Sequence, residues 1–147
     1  NEFLEVLRRL WTEQRASFHG RFFDFEDLTS SPKPLQRPHP AIVVGGNRPP
    51  ALRRVARFGD GWHPLGVSPD GVRRRLEVIR SAAVAAEREH VLETVQVRLD
   101  LQRVTAQSVV EYAAAGATEL VVSLNTADVQ EIETAIATFA ATMLKNG

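Results

Sequence analysis

AIVVGGNRPPALRRVARFGDGWHP, residues 41–64, is the stretch on which the fold turns. Ala41–Val44 is an apolar, β-branched run of the kind that forms a strand covered on both faces. Gly45-Gly46-Asn47 supplies a turn, and proline opens a short helix. Over Ala51–Phe58 the side chains Leu52, Val55 and Ala56 share one side, with Arg53, Arg54 and Arg57 on the other. Gly59 is placed to end that helix, Gly59-Asp60-Gly61 turns the chain, and Trp62–Leu65 is the next strand. The stretch is one complete strand–helix–strand unit, with two glycines where the first strand hands over to the helix.

The same alternation continues downstream. Ser68-Pro69 supplies an N-cap and a first-turn proline for a long helix with the stripe Val72, Leu76, Ile79, Ala83 and Ala86. Val95–Val104 alternates Val95, Val97, Leu99 and Leu101 with Gln96, Arg98, Asp100 and Gln102, the pattern of a half-covered strand. Thr105 caps a helix over Ala106–Ala115 that Gly116 stops, and Glu119–Leu124 is the last strand. Asn125 or Thr126 caps a final helix whose buried face is expected to be Val129, Ile132, Ile136, Phe139 and Met143. Upstream, Phe3, Leu4, Leu7, Leu10 and Trp11 recur at helical spacing, so a helix is expected over Glu2–Arg15. From Ala16 to Pro40 the periodicity dissolves. Phe18–Phe23 is a short extended piece, and Pro32, Pro34, Pro38 and Pro40 exclude a continuing helix or a central strand.

Strands alternating with helices of this length imply parallel pairing through right-handed crossovers. Four such units fit half of an eight-fold barrel or a small, open, doubly wound sheet. The chain starts in mid-pattern without an initiating methionine, its only one being Met143, and this weighs toward a half barrel cut from a longer protein.

Bulk properties exclude several function classes. Eighteen basic and 18 acidic residues leave no net field to draw nucleic acid or an anionic membrane. With no cysteine there is no disulfide, thiolate metal site or cysteine nucleophile, which suits a cytoplasmic setting. No signal peptide or membrane-length apolar run occurs in these residues.

Candidate chemistry concentrates at the strand ends. Gly45-Gly46-Asn47 can form a phosphate cradle where a strand meets a helix N-terminus, or simply a tight turn. Asn47 suits a helix cap and Arg48 a bidentate phosphate clamp, though a loop arginine is more often solvated. His63, at the end of the next strand, falls on the same rim, as an acid, a base or a substrate contact, or as an ordinary structural histidine. His19, His39 and His90 show no ligand spacing, and no Gly-x-Ser-x-Gly nucleophile motif occurs. Arg53-Arg54 and Arg73-Arg74-Arg75 are expected on outer helix faces as solvated charge, and Asp60 as a turn residue.

Phe18-x-Gly20 followed by aromatics, Pro32-Lys33-Pro34-x-Gln36 before a strand, Gly45-Gly46 after it and Gly59-Asp60-Gly61-Trp62 occur in order. Together they resemble the C-terminal half of the luciferase-like monooxygenase superfamily, in particular its deazaflavin (coenzyme F-420)-dependent branch. The resemblance implies a (β/α)8 TIM barrel with a flavin or deazaflavin at the carboxyl ends of its strands. This chain would then be one partial domain over residues 1–147, carrying strands five to eight and the family's insertion at 16–40. Carried over, the backbone N–H groups of Gly45, Gly46 and Asn47 would hold the phosphate of FMN or coenzyme F-420. Arg48 would be a further cofactor contact and His63 a contact on the substrate rim. The family's remaining strands, with much of the substrate pocket, fall outside these residues.

Two functions follow. One is the cofactor-phosphate half of an oxidoreductase acting on a small organic substrate, completed by the missing N-terminal half or by a homo-oligomeric partner. The other is a non-catalytic half barrel that self-associates through free sheet edges and an uncovered, apolar inner face.

Overall fold

The computed structural model describes residues 1–88 and 92–144; His90 lies outside them. The chain forms two compact units, Asn1–Ile42 and Val43–Gly147.

In the first unit α1 (Glu2–Thr12) is followed by an antiparallel hairpin, β1 (Ala16–His19) and β2 (Asp24–Leu28). The helix stops three residues short of the expected Arg15, because Glu13 turns extended and Ala16 enters the hairpin. The short extended piece expected at 18–23 is instead a strand end and a turn, closed by Gly20 N–H donating to the Phe23 carbonyl at 2.8 Å. The Glu2 carboxylate accepts from the N–H groups of Phe22 (2.8 Å) and Arg21 (3.0 Å) at that turn. Those bonds, Phe22 first, hold its pKa below the ordinary 4.5. Lys33 of the Pro-Lys-Pro motif donates to the carbonyls of Leu10 and Glu13, both at 2.7 Å, placing a cation on the carbonyl end of α1. His39 is buried and lies 6.0 Å from the Trp11 ring.

In the second unit β3 (Val43–Gly45), β4 (Gly61–His63), β5 (Thr94–Asp100) and β6 (Glu119–Ser123) form one parallel sheet whose spatial order equals chain order. The connecting helices are α2 (Pro49–Phe58), α3 (Pro69–Ala85) and α4 (Ala106–Ala114), and α5 (Val129–Leu144) follows β6. This is the arrangement of four successive units of a parallel barrel. The core is the helix-facing row Val44, Trp62, Val95 and Val97 packed on Leu52, Val55 and Ala56 of α2 and Val72, Leu76 and Ile79 of α3. Burying each of the larger of these side chains contributes about 1.5–3 kcal/mol.

Ends of β3, α2 and β4 shift by one or two residues from those expected, and three larger differences follow. β5 ends at Asp100 rather than running to Val104, because the Asp100 carboxylate accepts from Gln102 N–H (3.0 Å) and starts a 3-10 turn. The cap of α5 is Asp128, not Asn125 or Thr126: its carboxylate accepts from Gln130 N–H (2.8 Å) and Glu131 N–H (3.1 Å). The apolar stripe of α5 is only partly covered, with Ile132, Phe139 and Met143 half-buried but Val129 68% and Ile136 58% exposed.

The face of the sheet turned away from the helices is not the apolar surface expected. Strand alternation places His63, Thr94, Gln96, Arg98, Asp100, Glu119 and Ser123 on it, with Val43 and Val121 the large apolar members. Gly61 on this face has close neighbours: a Cβ there would stand 2.4 Å from Thr94 Cγ2 and 3.1 Å from Val43 Cγ2.

Candidate functional site

Parallel pairing sets Val43 beside Gly61, Val44 beside Trp62 and Gly45 beside His63, so Gly45–Arg48 and His63 all lie at the carboxyl end of the sheet. Gly46 has φ +109°, a conformation L side chains rarely adopt, and its N–H donates to the His63 carbonyl at 3.2 Å. Asn47 does not cap α2. Its side-chain oxygen accepts from Leu65 N–H at 3.0 Å and its amide donates back to the Leu65 carbonyl, clamping the glycine turn to the loop after β4. Arg48 takes the N-cap position without a side-chain bond, and its carbonyl accepts from Ala51 N–H (2.9 Å) and Leu52 N–H (3.1 Å). Its guanidinium is exposed and pairs with nothing among the described residues.

The direction of the turn's donors follows from its carbonyls. Trp62 Nε1 donates to the Gly46 carbonyl at 2.8 Å, and Arg75 Nε donates to the Asn47 carbonyl at 3.3 Å. Both donors come from the helical side of the sheet: Trp62 is wholly buried there and Arg75 belongs to α3. In a trans peptide the N–H points opposite its carbonyl, so the N–H groups of Asn47 and Arg48 are directed away from the helices. Neither meets an acceptor among the described residues. Pro49 and Pro50 have no N–H, and the Gly46 N–H expected on the phosphate is taken instead by the His63 carbonyl, so Asn47 and Arg48 supply outward donors between Gly46 and the helix. At Gly45 a Cβ would have no neighbour nearer than the His63 carbonyl oxygen at 4.0 Å. Two outward donors, an adjacent free guanidinium and open space over a glycine together fit a phosphate.

The sequence reading missed the groups that flank His63. Continuing the register across β4, β5 and β6 puts Gln96 and Glu119 in its row. Glu119 accepts from Thr94 Oγ1 and from Gln96 Nε2, each at 2.9 Å. The signal was the polar half of the Val95–Val104 alternation, which reads as solvent-facing when the sheet's open side is taken for ordinary surface. His63 itself is half-buried. An open groove of about 690 Å³ lies between α5 and the ends of β5 and β6, lined by Leu101, Gln102, Leu124, Asn125 and Phe139 among others. None of the five expected site residues borders it. Among the described residues no three His, Asp or Glu side chains converge to hold a metal ion.

A parallel α/β half barrel with a glycine turn at its carboxyl rim defines the class of fold. Residues 1–131 match the luciferase-like monooxygenase family, and the chain belongs to that family. It is 42% identical over 84 residues to an FMNH(2)-dependent dimethylsulfone monooxygenase of Pseudomonas putida, covering 57% of this chain and 23% of that protein. Its fold is similar to that of an F-420-dependent secondary alcohol dehydrogenase in complex with an F-420–acetone adduct, with TM-score 0.77 at 12% identity over 96% of this chain and 59% of that one. The coenzyme F-420-dependent tetrahydromethanopterin reductase of Methanopyrus kandleri has the same fold, with TM-score 0.75 at 11% identity over 99% of this chain and 62% of that one. The chain thus spans between about a quarter and three fifths of the length of these proteins. No described helix is long and apolar enough to cross a membrane.

Proposed function

We propose that this chain is the cofactor-phosphate half of a flavin- or deazaflavin-dependent oxidoreductase, one partial domain in which residues 16–40 are the family's insertion. The observation that carries the reading is the pair of outward N–H groups, Asn47 and Arg48, beside a glycine whose missing Cβ leaves open space. Family membership and relatives named for FMNH2 and F-420 support it. The cofactor would supply hydride transfer to an organic substrate and, as reduced FMN, reaction with oxygen. The chain's own residues would bind and orient: Asn47 and Arg48 N–H groups and the Arg48 guanidinium on the phosphate, Gly45 and Gly46 by permitting close approach. His63, with Gln96 and Glu119 in its row, would line the substrate rim. Four strand–helix units leave the barrel to be closed by four more, from the rest of the polypeptide or from a partner chain, in the cytoplasm.

A second reading is self-association without catalysis. β3 and β6 are the edges of the sheet, and Val43 and Val121 are exposed on its open face. Titration with FMN, riboflavin and coenzyme F-420 by fluorescence, with mass by light scattering, separates the two. Micromolar binding of a phosphorylated cofactor, tighter than riboflavin, is the expected result. Dimers that bind none of the three would refute the cofactor reading and leave self-association.

A further inference from the structure

Within Arg73-Arg74-Arg75 only two members behave as a solvated run: Arg73 pairs with Asp70 one turn back, and Arg74 is exposed. Arg75 is half-buried and turned toward the glycine turn. Gly71 makes room for it, since a Cβ at that position would stand 3.1 Å from Arg75 Nη1. The guanidinium donates from Nη1 to the Gly71 carbonyl (3.1 Å) and from Nε to the Asn47 carbonyl (3.3 Å). No carboxylate pairs with it among the described residues. Held by carbonyls, with no ion pair among the described residues, the half-buried guanidinium keeps its positive charge beside the turn.

We propose that Arg75 is the positioning residue of this turn: it pins the Asn47–Arg48 peptide from behind, and its positive charge makes binding selective for a phosphorylated flavin. The inference rests on the phosphate reading of the turn. Gripping the carbonyl end of a planar trans peptide fixes the direction of its N–H, so Arg75 aims the Arg48 N–H away from α3. Donation to that carbonyl also polarises the peptide and strengthens the N–H as a donor. An anion oxygen accepting from Arg48 N–H would lie roughly 8 Å from Arg75 Nε, adding the 3.3 Å bond to the Asn47 carbonyl, the oxygen-to-nitrogen span of the peptide and a second hydrogen bond. At that distance, about one Debye length at physiological salt, the charge still acts on a phosphate dianion and weakens as salt is raised.

The test uses the 147-residue chain with Arg75→Gln and Arg75→Lys, FMN and riboflavin as probes, and flavin fluorescence as the readout at low and high salt. Arg75→Gln is expected to weaken FMN about tenfold while riboflavin changes by less than about twofold, and to flatten the salt dependence of FMN binding. In the ligand-free protein the Arg48 amide resonance is expected to move in both variants. Equal losses for the two flavins, or no loss, with the Arg48 amide unmoved, would overturn the proposal. A wild-type chain that binds FMN no better than riboflavin refutes the phosphate reading itself. Wild-type selectivity that survives in Arg75→Gln refutes Arg75 alone. If Arg75→Gln does not fold, as judged by circular dichroism, Arg75→Lys decides through the amide shift, an unmoved resonance counting against the inference.

Discussion

Adjacent glycines that look equivalent in sequence are expected to respond oppositely to the same substitution. At Gly46 alanine must adopt φ near +109°, which costs about 1–3 kcal/mol, and its Cβ would stand 3.1 Å from that of Ala51, inside ordinary carbon contact. The chain can escape the strain only by rotating the turn. That breaks the bonds from Trp62 Nε1 to the Gly46 carbonyl and from Gly46 N–H to the His63 carbonyl, each worth about 1 kcal/mol. Either way Gly46→Ala loses about 1–3 kcal/mol. At Gly45 the backbone is in strand β3 and no heavy atom lies nearer than 4.0 Å to the added carbon, so Gly45→Ala is neutral or gains up to about 1 kcal/mol. Urea unfolding followed by Trp62 fluorescence, in a Trp11→Phe background, reads the difference directly. With m about 1–3 kcal/mol per molar, 2 kcal/mol moves the midpoint by about 1 M. FMN affinity is expected to fall in both variants, at Gly46 because the turn moves and at Gly45 because the methyl occupies the ligand's space. A Gly46→Ala midpoint equal to wild type, or a Gly45→Ala midpoint lowered as much as that of Gly46→Ala, would refute the reasoning.

Gly61→Ala should lower the melting temperature by several degrees, for a loss of about 1–3 kcal/mol. The new carbon would meet Thr94 Cγ2 at 2.4 Å, and turning Thr94 aside gives up its hydroxyl bond to Glu119, so an unchanged melting temperature would show that the open face is looser than described. The Glu2 carboxylate has a folded pKa below 4.5, so its contribution is present above that value and is lost as pH falls through the lowered folded pKa. Hydrogen exchange at the Arg21 and Phe22 amides should therefore be protected at pH 6 and lose protection on acidification, with Glu2→Gln already unprotected at pH 6. Protection persisting in Glu2→Gln would mean that the carboxylate does not hold the turn.

Local chemistry explains why much of the second unit was legible. Apolar periodicities marked each helix and strand of the sheet, Ser68 and Thr105 cap α3 and α4 as read, and Gly45-Gly46 and His63 do meet at one sheet end. Those signals act within a few residues of chain, where sequence order and spatial order coincide. Asn47 shows where the rule stops: an asparagine two residues before a proline-led helix reads as a cap, yet its side chain pairs with Leu65, 18 residues on. Likewise nothing local to Lys33 shows that its ammonium donates to the Leu10 and Glu13 carbonyls, 23 and 20 residues back in the chain.

By itself the sequence determined the class of fold, the family and the presence of a glycine turn at a strand end, because each depends on periodicity or on short, ordered motifs. Tertiary structure alone decided what that turn can offer. The two carbonyls are held by Trp62 and by Arg75, which lie 16 and 28 residues away in the chain, and this leaves the Asn47 and Arg48 N–H groups turned outward. It also decided that the open face of the sheet is polar. Alternation in a strand says only that two faces differ, and which of them meets the helices is settled when α2 and α3 pack on Val44, Trp62 and Val95.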